Sequence, residues 1–331
     1  MKLSKRITRI GIALIIILAA LSLLNANWLA PTPKGKPKLI AHRGMYHLYD
    51  KRAAFGRDTC TARHIKPPHH DVFENTVKSM KMAVGYGADM VEVDVAPTKD
   101  GRMVLFHDWG VDCRTEGKGD TRDLTLAELQ ALDVGYGYSA DGGKTFPLRG
   151  KGVGQIPTVE EGLAALPVHP ILFNFKSKSR KEAEQLYAIL KASGRDSAKI
   201  GDAFYGGPDV GPVGRIRELM PNNWAFATKG RAMDCTKAYV AYGWTGIIPK
   251  ACHKGTLIIP INYQFLFWGW PNRLIARMES VGARVIVMGP YESGKSNEGL
   301  TEPKQLGKIP ASFNGYIWVE DIEAVGPSLK R

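Results

Sequence analysis

Acidic residues are in short supply in this chain. None occurs in residues 1–9, where Lys2, Lys5, Arg6 and Arg9 sit, and the 331 residues hold 32 Asp and Glu against 45 Lys and Arg, a formal net charge of +13. Six of those charges fall in residues 1–36. The remainder is moderately basic, which suits an anionic substrate or a membrane surface. No stretch has the character of a nucleic-acid-binding module, so that class of partner is set aside. No internal repeat or low-complexity segment is present, which leaves an ordinary globular domain. The Gly-rich stretch 113–155 lacks the strand-Gly-helix frame of a phosphate-cradling loop and reads as a surface excursion.

Long apolar runs are equally scarce. The one that stands out is Ile10 to Leu24, broken only by Ser22 among apolar and small residues. No small-x-small cleavage site follows it, because Leu24 stands two residues before the candidate end at Ala26. Residues 1–30 are therefore expected to be an uncleaved signal anchor, a single transmembrane helix, with a cleaved secretory peptide as the alternative. Basic residues ahead of the span place the N-terminus in the cytoplasm and the rest outside it, on the periplasmic side of an inner membrane. Residues 31–37 form a Pro- and Lys-rich linker, and residues 38–331 suffice for one large domain.

Cysteines number only four. Outside the cytoplasm they can close two disulfides, and of the three pairings Cys60–Cys113 with Cys235–Cys252 is the one expected; free buried thiols are the alternative. His64, His69 and His70, in the long loop 44–73, show no strong metal-ligand spacing and read as residues of a solvated loop, with a second metal as the alternative. The aromatic stretch Tyr263 to Trp270 is open to three readings: a lipid or glycerol pocket, a bilayer contact, or loop packing.

What is present concentrates in residues 89–108. From Met90 to Val95, apolar Val91, Val93 and Val95 alternate with Glu92 and Asp94, the period of a strand whose faces differ. Side chains two apart point the same way, so Glu92 and Asp94 form a paired oxygen donor suited to a hard divalent cation, Mg2+ or Ca2+. A turn at Thr98–Gly101 and a short strand at 103–106 then bring His107 and Asp108 back beside the carboxylates.

His42-Arg43-Gly44, Glu74-Asn75, Glu92-Val-Asp94, Thr98-Lys-Asp-Gly101 and His107-Asp108, in that order, resemble the signature of the glycerophosphodiester phosphodiesterase family. The dense match covers roughly residues 38–120. Eight strands are expected near 38–42, 90–95, 171–175, 200–205, 224–228, 258–262, 284–288 and 315–319, alternating with helices. With the hairpin carrying His107 taken as a loop excursion, as the resemblance implies, the count is that of an α/β fold, a (β/α)8 TIM barrel. Chemistry in such a barrel sits where strands end, and His42, Glu92 and Asp94 fall there.

The resemblance implies a phosphoric diester hydrolase with His42 and His107 as acid and base, Arg43, Lys176 and Asn75 on the substrate, and Glu74 and Asp108 supporting. Glu92, Asp94 and Asn174 would hold a divalent metal. Asn174 departs from the family, which carries a glutamate there, so the site brings one charge fewer. The late Thr-Asp of the family has no clean counterpart near Glu320 and Asp321. The expected substrate is a glycerophosphodiester or a lysophospholipid, cleaved to an alcohol and glycerol phosphate. A catalytically impaired barrel that binds phosphodiesters without turnover, motivated by Asn174, is the alternative.

Overall fold

A computed structural model describes residues 2–49, 59–293 and 298–329. Nine strands form one sheet: β1 Lys38–Ala41, β2 Met90–Pro97, β3 Met103–Leu105, β4 Ile171–Phe175, β5 Ala203–Pro208, β6 Trp224–Lys229, β7 Thr256–Pro260, β8 Arg284–Met288 and β9 Tyr316–Val319. Eight of them run parallel in the order β6-β5-β4-β2-β1-β9-β8-β7, with β3 off this path as an antiparallel partner of β2. The ring is nearly closed. Among the described residues β6 and β7 share no backbone ladder, but Trp224 Nε1 on β6 donates to Thr256 Oγ1 on β7 at 2.9 Å. The eight parallel strands stand close to where alternation places them. The largest displacement is at β5, where Asp196 caps a short helix, Ser197–Ile200, that ends in left-handed Gly201 and delays the strand to residue 203.

Alternation along the strands sorts the side chains. Leu39, Ala41, Val91, Val93, Val95, Ile171 and Phe173 form the outward face and are buried under the helices, among Met80, Ala83, Leu163 and Leu186. Ile40, Met90, Leu172, Ala203, Phe226, Ile286 and Trp318 fill the lumen. Both faces of a barrel strand are therefore dry, and a carboxylate on the inner face must find partners within the protein. Phe173 is buried and stacks on Phe204 with ring centroids 5.7 Å apart. Phe173→Ala is expected to lower unfolding stability by about 3–5 kcal/mol, read from a denaturant titration.

The hairpin expected between Thr98 and Gly101 is present. Arg102 N donates to Thr98 Oγ1 at 2.9 Å, and Gly101 takes the positive φ of 77° that the turn requires. Helix Val77–Gly85 begins at a capping box between Thr76 and Ser79. Helix Arg231–Tyr242 fills the place between β6 and β7 where the alternation calls for a helix but no bounds were assigned; its Cys235 is bonded to Cys252. Cys60 is bonded to Cys113 as expected. The N-terminal helix, Lys2–Leu24, holds an apolar stretch Ile7–Leu24 that has no part buried against the barrel. Its end is held where Arg277 Nη2 donates to Leu24 O at 3.1 Å and Asn25 Nδ2 donates to Trp244 O at 2.7 Å.

Candidate active site

The residues picked out from the sequence converge at the C-terminal ends of β1, β2 and β4. Register does this: Ala41 pairs with Val91 and Asp94 with Asn174, so His42, Glu92, Asp94 and Asn174 emerge at neighbouring points of the rim. Glu92 and Asp94 are fully buried and face inward, the opposite side from Val91 and Val93. Glu92 accepts from Tyr205 OH at 2.6 Å and from Arg43 N at 2.8 Å. Asp94 accepts from Asn75 Nδ2 at 3.0 Å and from Asn174 Nδ2 at 2.7 Å, with Lys176 Nζ 3.7 Å away.

The turn that carries Arg43 is strained for this purpose. Arg43 and Asn75 adopt φ of 54° and 57°, unusual for residues other than glycine, and Asn75 N donates to Arg43 O at 3.0 Å. Gly44 follows with a positive φ, and a Cβ there would lie 2.7 Å from Ser79 Oγ and 2.9 Å from Ser79 C. The His-Arg-Gly triplet is thus a bend pressed against helix Val77–Gly85. It turns the Arg43 amide onto Glu92 and the Arg43 guanidinium onto Glu74, at 2.7 Å.

The two histidines have parallel surroundings. His42 Nδ1 lies 2.5 Å from Glu320 Oε2, and its Nε2 accepts from Arg43 Nε at 3.2 Å. His107 Nδ1 lies 2.6 Å from Asp108 Oδ1, and its Nε2 faces Lys176 Nζ at 2.8 Å. Each ring is held from behind by a carboxylate and presents Nε2 to a cationic side chain. The balance of charge nonetheless differs. Burial lowers His42, but Glu320 and Glu92 outweigh it and raise its pKa, whereas burial, Arg43 and Lys176 together push His107 well down.

Glu92 is raised by burial and by Asp94 beside it. Burial would raise Asp94 too, but Lys176, His107 and Arg43 hold it low. Two inward carboxylates side by side, one of them reluctant to ionise, are what a cation would relieve, and so the donor set fits a hard divalent ion. Asn174 reaches Asp94 through its amide nitrogen, so here it steadies the carboxylate.

Three residues were missed from the sequence. Glu320, the first residue after β9, anchors His42 and is itself held by Gly299 N at 2.8 Å. A lone acid following the last strand was the available signal. Tyr205 could have been found from the alternation of β5. Arg114 had no local signal. It arrives through the Cys60–Cys113 bridge, donates to Asp108 Oδ2 at 2.8 Å and lies 3.1 Å from Glu74 Oε2.

Glu74 sits buried between Arg43 and Arg114. Burial opposes its charge, but Arg114 and Arg43 prevail and lower its pKa from 4.5 to about 2. A depressed folded pKa contributes stability above the unfolded value that is lost as pH falls through the folded one. Acid is therefore expected to destabilise the protein between about pH 4.5 and pH 2, measured as thermal midpoint against pH. Glu74→Gln should flatten that dependence and cost about 3–5 kcal/mol at neutral pH, because two buried arginines lose their shared partner.

Residues 42–205 match the profile of the glycerophosphoryl diester phosphodiesterase family. A glycerophosphodiester phosphodiesterase of Caldanaerobacter subterraneus is 38% identical over 109 residues, 33% of this chain and 41% of that protein. The match thus spans about two fifths of that relative's length. A solved glycerophosphodiester phosphodiesterase of Agrobacterium tumefaciens superposes with a TM-score of 0.58 at 17% identity, covering 88% of this chain and 99% of that one. An Oleispira antarctica phosphodiesterase, solved in complex with the product sn-glycerol-3-phosphate, superposes with a TM-score of 0.52 at 17% identity, covering 88% and 94%. Through residues 42–205, with their two carboxylate-backed histidines at the mouth of a TIM barrel, this chain belongs to the glycerophosphoryl diester phosphodiesterase family.

Proposed function

We propose that this chain hydrolyses glycerophosphodiesters, or a lysophospholipid as their lipid-linked relative, to an alcohol and glycerol phosphate. The observation that carries the reading is the pairing of His42 with Glu320 and of His107 with Asp108 around Glu92, Asp94, Arg43 and Lys176 in one half-buried rim. Cleaving a phosphodiester needs positive charge on the non-bridging oxygens, a proton acceptor for the nucleophile and a proton donor for the leaving alkoxide. Arg43 and Lys176 provide fixed charge, the first as a fork and the second as a point. His42 and His107 are the two proton carriers; each is kept in the tautomer that leaves Nε2 facing the mouth by the carboxylate behind Nδ1. Asn75 fixes the orientation of Asp94 through two hydrogen bonds, at 2.8 and 3.0 Å. Glu74 and Asp108 hold Arg43 and His107 in place.

Glu92 and Asp94, with Asn174 once its amide is turned, would hold a divalent cation, Mg2+ or Ca2+. Such an ion polarises a phosphoryl oxygen as a Lewis acid when bound. The Oleispira relative's sn-glycerol-3-phosphate supports glycerol phosphate as the product.

The N-terminal helix supports attachment to a membrane, with the barrel on the periplasmic side. Ile7–Leu24 has the length of a span, about 27 Å at 1.5 Å per residue. Where it meets the barrel, Trp28, Tyr242, Trp244 and Ile247 are all exposed. Nearby, Trp268 Nε1 donates to Val240 O, which draws the aromatic loop down along helix Arg231–Tyr242 while leaving Phe265 exposed. Aromatic side chains beside the end of a span suit the bilayer interface, and two disulfides suit an oxidising compartment. The test is hydrolysis of glycerophosphocholine and lysophosphatidylcholine by the purified full chain, followed by phosphorus NMR. Glycerol phosphate or its cyclic or lysophosphatidic counterpart must appear. No product from either, in Mg2+, Ca2+ or Mn2+, discards the proposal.

A further inference from the structure

We propose that His69, His70 and Glu323 form a second cation site, outside the barrel mouth, that takes Zn2+ in preference to Mg2+ or Ca2+. One ligand atom from each of the three lies within 4.8 Å of the others. His69 Nε2 is 2.9 Å from Glu323 Oε2, and the His69 and His70 rings meet edge to face at 4.7 Å. Two imidazoles and one carboxylate are ligands for a borderline transition ion, whereas Mg2+ and Ca2+ favour oxygen alone. Ligand atoms about 2.0–2.1 Å from a tetrahedral Zn2+ stand roughly 3.4 Å apart, so small side-chain rotations close the set. The fourth position is left to water on the exposed side of His69.

The surroundings add what a surface ion pair would not have. Tyr86 OH donates to Glu323 Oε1 at 3.0 Å, fixing the carboxylate from behind as the outer partners of metal ligands do. His47 stacks on His70 at 4.2 Å, is 5% exposed, and its Nε2 finds no hydrogen-bond partner among the described residues. Burial holds His47 neutral, with its pKa lowered to about 3, so the ring stacked on His70 adds no positive charge against a cation held by His69, His70 and Glu323.

The two halves of the site come from segments that lead into the active site. His69 and His70 stand a few residues before Glu74, and Glu323 stands three after Glu320, the residue holding His42. A Zn2+ here would clamp the loop preceding Phe73 to the short helix Ile322–Val325.

Untagged full chain, stripped with chelator, would be titrated with Zn2+ by calorimetry, with bound metal counted after gel filtration. His69→Gln/His70→Gln is expected to remove one equivalent of Zn2+, and Tyr86→Phe to weaken that equivalent roughly tenfold. On a Glu92→Gln/Asp94→Asn background, which silences the lumen carboxylates, one Zn2+ should still bind. Mg2+ at the same concentration should not occupy the site. Cu2+ in place of Zn2+ should show nitrogen coupling in its paramagnetic resonance spectrum. Unchanged Zn2+ stoichiometry and affinity after both histidines are replaced would overturn the proposal. So would Zn2+ that disappears only when Glu92 and Asp94 are neutralised.

Discussion

Alanine at His42 or at His107 is expected to lower kcat for phosphodiester hydrolysis by roughly 10²–10⁴-fold, the range for loss of a positioned proton carrier, with a far smaller change in KM. The two rings are not spare copies of each other. Each has its own carboxylate, Glu320 or Asp108, and its own facing cation, Arg43 or Lys176. Removing either leaves one proton transfer unassisted, so the double variant should lose little more than the worse single one. Glu320→Gln is a useful companion. It keeps the size and one hydrogen bond to His42 but removes the charge that raises the histidine pKa. It should cost less in kcat than His42→Ala and shift the pH profile to lower values. Steady-state kinetics between pH 5 and 9 would show both effects. Equal rates for wild type and His42→Ala would exclude that ring from the chemistry.

Glu92→Gln is expected to separate activity from stability. In the folded protein the Glu92 carboxyl is buried beside Asp94 and its pKa is raised, so its charged form is disfavoured where no cation is present. The amide preserves the shape and can keep its contacts with Tyr205 and Arg43. The metal-free variant should therefore melt at the same temperature as wild type or higher, the usual signature of a group kept for function at a cost in stability. Activity should fall by more than about 100-fold, since the loss of even an outer partner of a metal ligand costs 10–100-fold. Wild type should gain thermal stability when Mg2+ or Ca2+ is added, by mass action on the folded state, and the variant should not. Melting curves with and without the ion, set beside rates, read both outcomes. A variant that melted much lower without metal would show that Glu92 is chiefly structural.

Much of the barrel was legible because its strands are short apolar runs that alternate with longer helical patterns, and β2 keeps a strict period of two. Glu92 and Asp94 could be paired from spacing alone, and the hairpin returning His107 was marked by Thr98, Asp100 and Gly101. The rest was hidden for physical reasons. Arg114 and Glu320 reach the site through tertiary pairing, one beside a disulfide and one at the end of the last strand, and no local pattern reports that. Helix Arg231–Tyr242 lacks a side-chain cap and begins at Gly230, so its start carried no signal. His69 and His70 have no ligand spacing because their third partner, Glu323, is more than 250 residues away and comes close only when the first and last strands pair.

The most direct test of the chemistry is the rate of glycerophosphocholine hydrolysis by the purified full chain after chelation and again after a divalent cation is restored, with His42→Ala in parallel. Turnover that vanishes on chelation, returns with Mg2+ or Ca2+ and is absent in His42→Ala is the predicted result. Turnover indifferent to both the ion and His42 would contradict the catalytic role given to this site.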